Sequence, residues 1–255
     1  VAVIADILAA GCLPEFYLHA LVEPAGSEGF SLALCRGAQH VLEAYGCFLL
    51  GGDMGRSSVS AGWRYTGLAL GRLADPQAGP LTRLLPPRPQ TLWITCSVGD
   101  GNLCALSGRM PDFETRLSEA TSLCGKARAC MDTSGGLVES LLLLGRLNPT
   151  HRFVLTPAAI PYAEGLAEAA LVHDLPVEGF AFCGAGEYEL LFTADASEHF
   201  TCATSIGRAF PSPGDGTGVF WGDRPLPDAL PDPRSFGDTQ EYIRQLLQVV
   251  RTCLA

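Results

Sequence analysis

The chain holds a single lysine, Lys126, in 255 residues, and 17 lysines and arginines against 27 acidic residues leave a formal net charge of −10. A phosphate-gripping loop built around lysine is therefore absent, so any phosphate would be met by arginine, backbone N–H groups or a carboxylate-held metal. The same shortage of clustered positive charge excludes nucleic acid as a partner, because that affinity comes from counterion release along a basic surface. No uninterrupted run of 18 apolar residues occurs, and no membrane span or membrane partner is expected. Ten cysteines, at 12, 35, 47, 96, 104, 124, 130, 183, 202 and 253, include no C-x-x-C pair, which argues against a zinc finger or ribbon. None of His19, His40, His151, His173 and His199 pairs with another at i, i+4, and no Gly-x-Ser-x-Gly elbow appears, so zinc- and serine-hydrolase readings find no support. The sequence carries no secretory leader, so its cysteines read as buried free thiols and its location as cytoplasmic. It opens without methionine, directly on Val3-Ile4-Ala5-Asp6-Ile7-Leu8-Ala9-Ala10, and we expect a start part-way into a longer fold.

What is present suits a packed protein of one or two domains, since 47% of residues are hydrophobic and 17% charged. Residues 2–10 read as a short helix ended by Gly11, Phe16–Val22 as a strand closed by Pro24, and Ser27–Tyr45 as a helix stopped by Gly46. A short buried strand, Cys47–Leu50, is expected to run into a Gly51-Gly52-Asp53 turn, followed by a strand over 58–70. Five prolines between Ala74 and Pro89 mark a boundary. Beyond it, strands are expected at 91–95, 127–131, 153–155, 188–193, 205–210 and 218–221. Helices are expected at 101–109, 113–123, 134–147 and 162–173. Tyr188 and Phe192 are spaced as core residues of a buried strand. A Pro-rich stretch, 225–233, leads to an amphipathic helix over 239–254 whose stripe of Ile243, Leu246, Leu247 and Val250 docks on the protein itself. The class is mixed α+β, with units at 1–75 and 88–224 and a tail at 225–255.

Three stretches stand out: Gly51-Gly52-Asp53-Met54-Gly55-Arg56, Met131-Asp132-Thr133-Ser134-Gly135-Gly136-Leu137, and Gly184-Ala185-Gly186-Glu187-Tyr188-Glu189-Leu190. Three weaker ones accompany them in order: Asp6-Ile7-Leu8-Ala9-Ala10-Gly11, Ile94-Thr95-Cys96-Ser97-Val98-Gly99-Asp100, and Ile206-Gly207. Read on their own chemistry, Asp53, Asp6 and Asp132 are each either metal ligands or turn- and cap-stabilising carboxylates. Ser97–Asn102 and Ser134-Gly135-Gly136 are each either ordinary strand-to-helix turns or anion-binding N-termini.

Over roughly residues 1–222 the six stretches together resemble thiamine-monophosphate kinase, of the aminoimidazole ribonucleotide synthetase (AIR synthase)-related superfamily. The resemblance implies a two-domain AIR-synthase-like α+β architecture, a homodimer, and transfer of the ATP γ-phosphate to thiamine monophosphate with Mg²⁺. It implies Asp53, Asp6 and Asp132 as metal ligands. Gly51, Gly52, Arg56, Gly99, Asp100, Ser134, Gly135 and Gly136 are implied at the nucleotide phosphates, and Glu187 and Tyr188 at the substrate. Phosphoryl transfer is chiefly positioning and charge neutralisation, which makes such a carboxylate set intelligible. The pattern departs where the family's second aspartate of Asp-x-Ser-Asp-Gly-Leu is Gly135, and where Gly-Gly-Glu-Asp-Tyr-Glu-Leu becomes Gly184-Ala185-Gly186-Glu187-Tyr188-Glu189-Leu190. Two other expectations stand beside the kinase: a non-catalytic descendant that binds a ligand or partner, and an AIR-synthase-related enzyme acting on a different cofactor precursor.

Overall fold

A computed structural model of the chain describes residues 1–24, 28–57, 62–182, 184, 186–232, 235–237 and 239–254. Helix α1 (Ala2–Ala9) gathers Ile4, Ala5, Leu8 and Ala9 on one buried face and passes through Gly11 into strand β1 (Cys12–Pro24). Helix α2 (Glu28–Ala44) is the crossover that a parallel pair requires, and it delivers β2 (Phe48–Ser57) alongside β1. Strand β3 (Arg64–Leu73) returns antiparallel on the other side, giving the order β2-β1-β3.

Two expectations change in this sheet. Gly51-Gly52-Asp53 is no turn after a short buried strand; it lies inside a ten-residue strand that is mostly exposed. A Cβ at Gly52 would overlap the His19 carbonyl oxygen of β1, so the glycine serves close backbone approach rather than chain reversal. The strand expected from residue 58 begins at Arg64, and Ser58–Ala61, Val59 among them, lie outside the described residues.

A second sheet combines β4 (Gln90–Thr95), β5 (Ala127–Asp132), β6 (His151–Leu155), β7 (Leu190–Ala194), β8 (Ala203–Pro211), β9 (Gly218–Trp221) and β10 (Arg224–Pro225) in the order β10-β9-β6-β8-β4-β7-β5. The pairing of β6 with β9 is parallel and the other pairs are antiparallel. Around it lie α3 (Asp100–Leu106), α4 (Leu117–Leu123), α5 (Leu137–Leu147), α6 (Leu166–Val172) and α7 (Thr239–Leu254). Alternation along each strand splits the core in two. Leu191, Leu92, Ile94, Phe153 and Ile206 face a cluster closed by Leu137, Leu141 and Leu144 of α5 and by Leu246, Val250 and Cys253 of α7. Leu190 and Phe192 face the opposite way, against Leu123 of α4 and Ile4 and Leu8 of α1. At about 1.5–3 kcal/mol for each large apolar side chain fully buried, α1 is bound firmly to the second sheet.

The proline-rich segment 74–89 is stitched to both sides. Ala74 and Leu81 donate backbone N–H bonds to Gly11 and Ala10, and Thr82 accepts one from Cys130. Helix α6 begins at Leu166 rather than Tyr162, because a short 3-10 turn (Pro157–Ala159) and the αL residue Gly165 precede it. Tyr188 departs from the core-strand reading: its φ of 55° precedes β7, and its half-buried ring meets Phe113 edge-on at 5.0 Å, whereas Phe192 is fully buried. The α7 stripe buries Leu246 and Val250 as expected, the Ile243 side chain lying outside the described residues. The cysteines depart from the buried-thiol expectation. Cys47, Cys104, Cys130 and Cys253 are buried, Cys12, Cys35, Cys124 and Cys202 are half-buried and Cys96 is exposed, with Cys183 outside the described residues. Among the described residues no helix is long and apolar enough to cross a membrane.

Candidate functional site

Strand β5 ends at Asp132 opposite Leu190, the first residue of β7, so the loops 132–136 and 186–189 lie side by side. Thr133 laces them together: its N–H donates to Glu189 O, its O accepts from Glu187 N–H, and its Oγ1 accepts from Glu189 N–H at 3.1 Å. Helix α1 brings Asp6 to this edge from the first unit, and the end of β4 brings Thr95 to Gly99.

Four carboxylates result, in two settings. Asp132 is buried and accepts the Ser134 N–H at 3.2 Å. Burial first, and then the Asp132 charge, raise Asp6 above the usual aspartate range, while Arg83, with Nη2 3.4 Å from Asp6 Oδ1, pulls the other way. Deeper in, Glu189 accepts Thr95 Oγ1 at 2.5 Å and both Nε and Nη2 of Arg116 at 2.8 and 2.6 Å. Burial raises the Glu189 pKa despite these donors. On Arg116, burial opposes the charge and the Glu189 carboxylate more than offsets it, raising the pKa.

Glu187 defines the second setting. Its Oε2 accepts the Gly99 N–H at 2.9 Å, Oε1 faces Asn102 Nδ2 at 3.3 Å, and the Asp100 N–H also donates to the carboxylate. Burial nevertheless pushes Glu187 up to about 7. Gly99, with a φ of 102°, forms the N-terminal turn of α3, and a Cβ there would overlap the Leu166 side chain. The anion at this turn is thus the protein's own Glu187. The amides of Gly99 and Asp100, expected at a phosphate, are occupied, and Glu187, expected at the substrate, is a buried cap.

The candidate residues accordingly fall into three places. Asp6, Asp132, Ser134, Gly135 and Gly136 come together, Ser134 being exposed. Gly99, Asp100 and Glu187 form the α3 turn. Gly51, Gly52, Asp53 and Arg56 stand on β2, where Asp53 is exposed opposite Ala20 and Arg56 donates Nε to the buried Glu23 at 3.2 Å. Among the described residues no group of three or more His, Cys, Asp or Glu is placed to hold an ion, so Asp53 does not join Asp6 and Asp132 in one cage. Asp53 is carried onward by strand β2 rather than turned inward.

Magnesium needs less than such a cage. It commonly takes one or two protein carboxylates, the remaining positions going to water and substrate phosphates. Asp6 and Asp132 fit that demand, being hard oxygen donors close enough to repel each other. Glu139, in the first turn of α5, adds a carboxylate nearby: a Cβ at Gly135 would come within 2.9 Å of its Oε2. Glu139 and Arg116 lie outside the stretches that stand out in the sequence, whereas Glu189, Thr95 and Asn102 lie inside them with no role of their own expected. Glu189 sat two positions from Glu187 inside a quoted motif, whereas nothing local signals Arg116, which lies 73 residues from its partner.

No protein-family model and no curated protein sequence matches the chain. Solved structures do. Thiamine monophosphate kinase from Aquifex aeolicus superposes with a TM-score of 0.71 at 20% identity, over 86% of this chain and 77% of that one. The enzyme from Stenotrophomonas maltophilia gives 0.70 at 21% identity, over 86% and 75%. The hydrogenase maturation protein HypE from E. coli gives 0.71 at 14% identity, over 91% and 78%. The chain therefore has the fold shared by these kinases and by HypE.

Proposed function

We propose that the chain is an ATP- and Mg²⁺-dependent enzyme transferring a phosphoryl group to a small phosphorylated metabolite, most like thiamine-monophosphate kinase. The observation that carries this reading is the Asp6–Asp132 carboxyl pair beside the Ser134-Gly135-Gly136 loop, of which Ser134 is exposed. Likeness of fold to a thiamine monophosphate kinase solved with AMPPCP and TMP supports it. In this reading Asp6 and Asp132 hold Mg²⁺, which neutralises phosphate charge when bound. Asp132 is fixed by the Ser134 N–H, and Arg83 counters the charge of Asp6 while the metal is away. The Ser134–Gly136 backbone faces the phosphates, Thr133 holds the two loops in register, and Thr95 and Arg116 fix Glu189 beside them. Tyr188, braced by Phe113, stands at the acceptor side. The acceptor named by resemblance is thiamine monophosphate, with a different cofactor precursor as the variant of the same chemistry.

A homodimer belongs to the same reading. Phe16, Phe48 and Leu70 share one row of the first sheet, and Leu68 stands on the same face one row on. Phe48 and Leu68 are 69% and 58% exposed, an apolar face of the kind proteins cover.

One observation favours the non-catalytic reading: Glu187 fills the α3 turn and Gly135 brings no side chain to the loop, so fewer groups await a nucleotide. Calorimetry of Mg²⁺·ATP with the purified chain, with and without thiamine monophosphate, separates the two. Binding that Asp132→Asn abolishes, with heat of turnover on adding the acceptor, supports the kinase. Silence from folded protein with both ligands overturns it in favour of the non-catalytic descendant.

A further inference from the structure

Outside the carboxylate site, the structure places two thiols at one end of the second sheet. Strands β4 and β8 run antiparallel, and their last registered pair is Thr95 with Ala203. One step further along both strands come Cys96 and Cys202. The registered pair just before them, like other directly opposed antiparallel residues, has Cα atoms about 4.5–5.5 Å apart, inside the span of about 4.4–6.8 Å that a disulfide bridges, and Cys202 is near enough for its charge to act on Cys96. Both are free thiols; Cys96 is the exposed one and Cys202 is half-buried, with its Sγ 3.2 Å from Ser122 Oγ. Cys96 also has a φ of 44°, in a region that side chains other than glycine seldom adopt, so β4 leaves the sheet at this residue.

We infer that Cys96 and Cys202 are an oxidation site, closing to a cross-strand disulfide by exchange with a small-molecule disulfide such as oxidised glutathione. The Cys96 thiolate attacks one glutathione sulfur and displaces glutathione thiolate, leaving a mixed disulfide. The Cys202 thiolate then attacks the Cys96 sulfur and displaces the second glutathione. The two protons lost by the cysteines are taken up by the two leaving thiolates, so the exchange balances without a further oxidant. Burial, and next the Glu189 carboxylate, hold the Cys96 thiol above its ordinary range, and Arg116 partly opposes them. The first step is accordingly slow, and proximity drives the second. The site stands apart from the proposed phosphotransferase chemistry, although Thr95, next to Cys96, holds Glu189.

The test treats the native, reduced full chain with oxidised glutathione, blocks remaining thiols with N-ethylmaleimide, and maps the cysteines by peptide mass. The expected result is a linked Cys96–Cys202 peptide carrying neither glutathione nor maleimide, and in Cys202→Ser a stable glutathione adduct on Cys96. Separate adducts on Cys96 and Cys202 in the wild type would overturn the inference. So would a Cys12–Cys124 link in its place, a pair near enough for one thiol's charge to act on the other.

Discussion

Glu187→Gln tests the electrostatics of the α3 turn most directly. A buried carboxyl raised from 4.5 to about 7 binds its proton more tightly in the folded chain than in the unfolded one. The stability it contributes is fully present below the unfolded value and is lost as pH rises through about 7. At about 1.36 kcal/mol per pH unit the full span is worth about 3.4 kcal/mol, of which about 2.5 kcal/mol falls between about pH 5 and about pH 8. Glutamine carries no charge at either pH. It keeps one acceptor for the Gly99 N–H but sets its NH₂ against another donor, which costs a roughly constant amount of about 1 kcal/mol. Urea unfolding of both proteins across this range gives the comparison. The wild type should lose about 2.5 kcal/mol more than the variant, steadily from about pH 5 until the loss levels off near pH 7. Parallel stability curves would refute the assignment and show Glu187 ionised throughout, its N–H donors outweighing burial.

Three further outcomes are expected. Arg116→Ala leaves Glu189 buried without its guanidinium and should cost about 3 kcal/mol in denaturant unfolding, since breaking one side of a buried pair strands the other charge; a loss below about 1 kcal/mol would mean that water reaches Glu189. Gly135→Asp should displace the flexible Glu139 carboxylate at little cost in stability and tighten Mg²⁺ binding measured with a non-hydrolysable ATP analogue; unchanged metal affinity would count against Asp6 and Asp132 as ligands. Phe48→Glu, at an exposed position on the first sheet, should convert a dimer to a monomer in sedimentation equilibrium with the circular dichroism spectrum retained, and an unchanged mass would remove that face from the interface.

Much of the fold was legible because local signals agreed with packing. Apolar residues recurring at helical spacing marked α1, α2 and α7, and short β-branched or aromatic runs marked β4, β6 and β9. Gly51-Gly52 misled because glycine is also what a strand uses where a neighbouring backbone presses close, and only the His19 carbonyl reveals which role applies. The candidate site was legible in outline, through Asp6, Asp132 and the loops around them. Its wiring was not. That Glu187 caps α3, 88 residues earlier, follows from the β4–β7 pairing, and no local pattern encodes it. The positive φ of Tyr188 likewise broke a strand that spacing alone had extended by two residues.

The strand order of the second sheet also sets a timetable for the ribosome. The first sheet has all its strands once Leu73 has been made, and its contacts are comparatively local. Strand β4, by contrast, sits between β7 and β8, whose residues are synthesised roughly 100 positions later. At about 5–20 residues per second, its ladder groups wait on the order of 5–20 s without partners. Through that interval Leu92, Ile94 and the apolar faces of α1 and α5 are exposed on a nascent chain. Synonymous codons that slow translation between β5 and β7 should therefore lengthen the aggregation-prone window, whereas the same slowing before Leu73 should leave yield untouched.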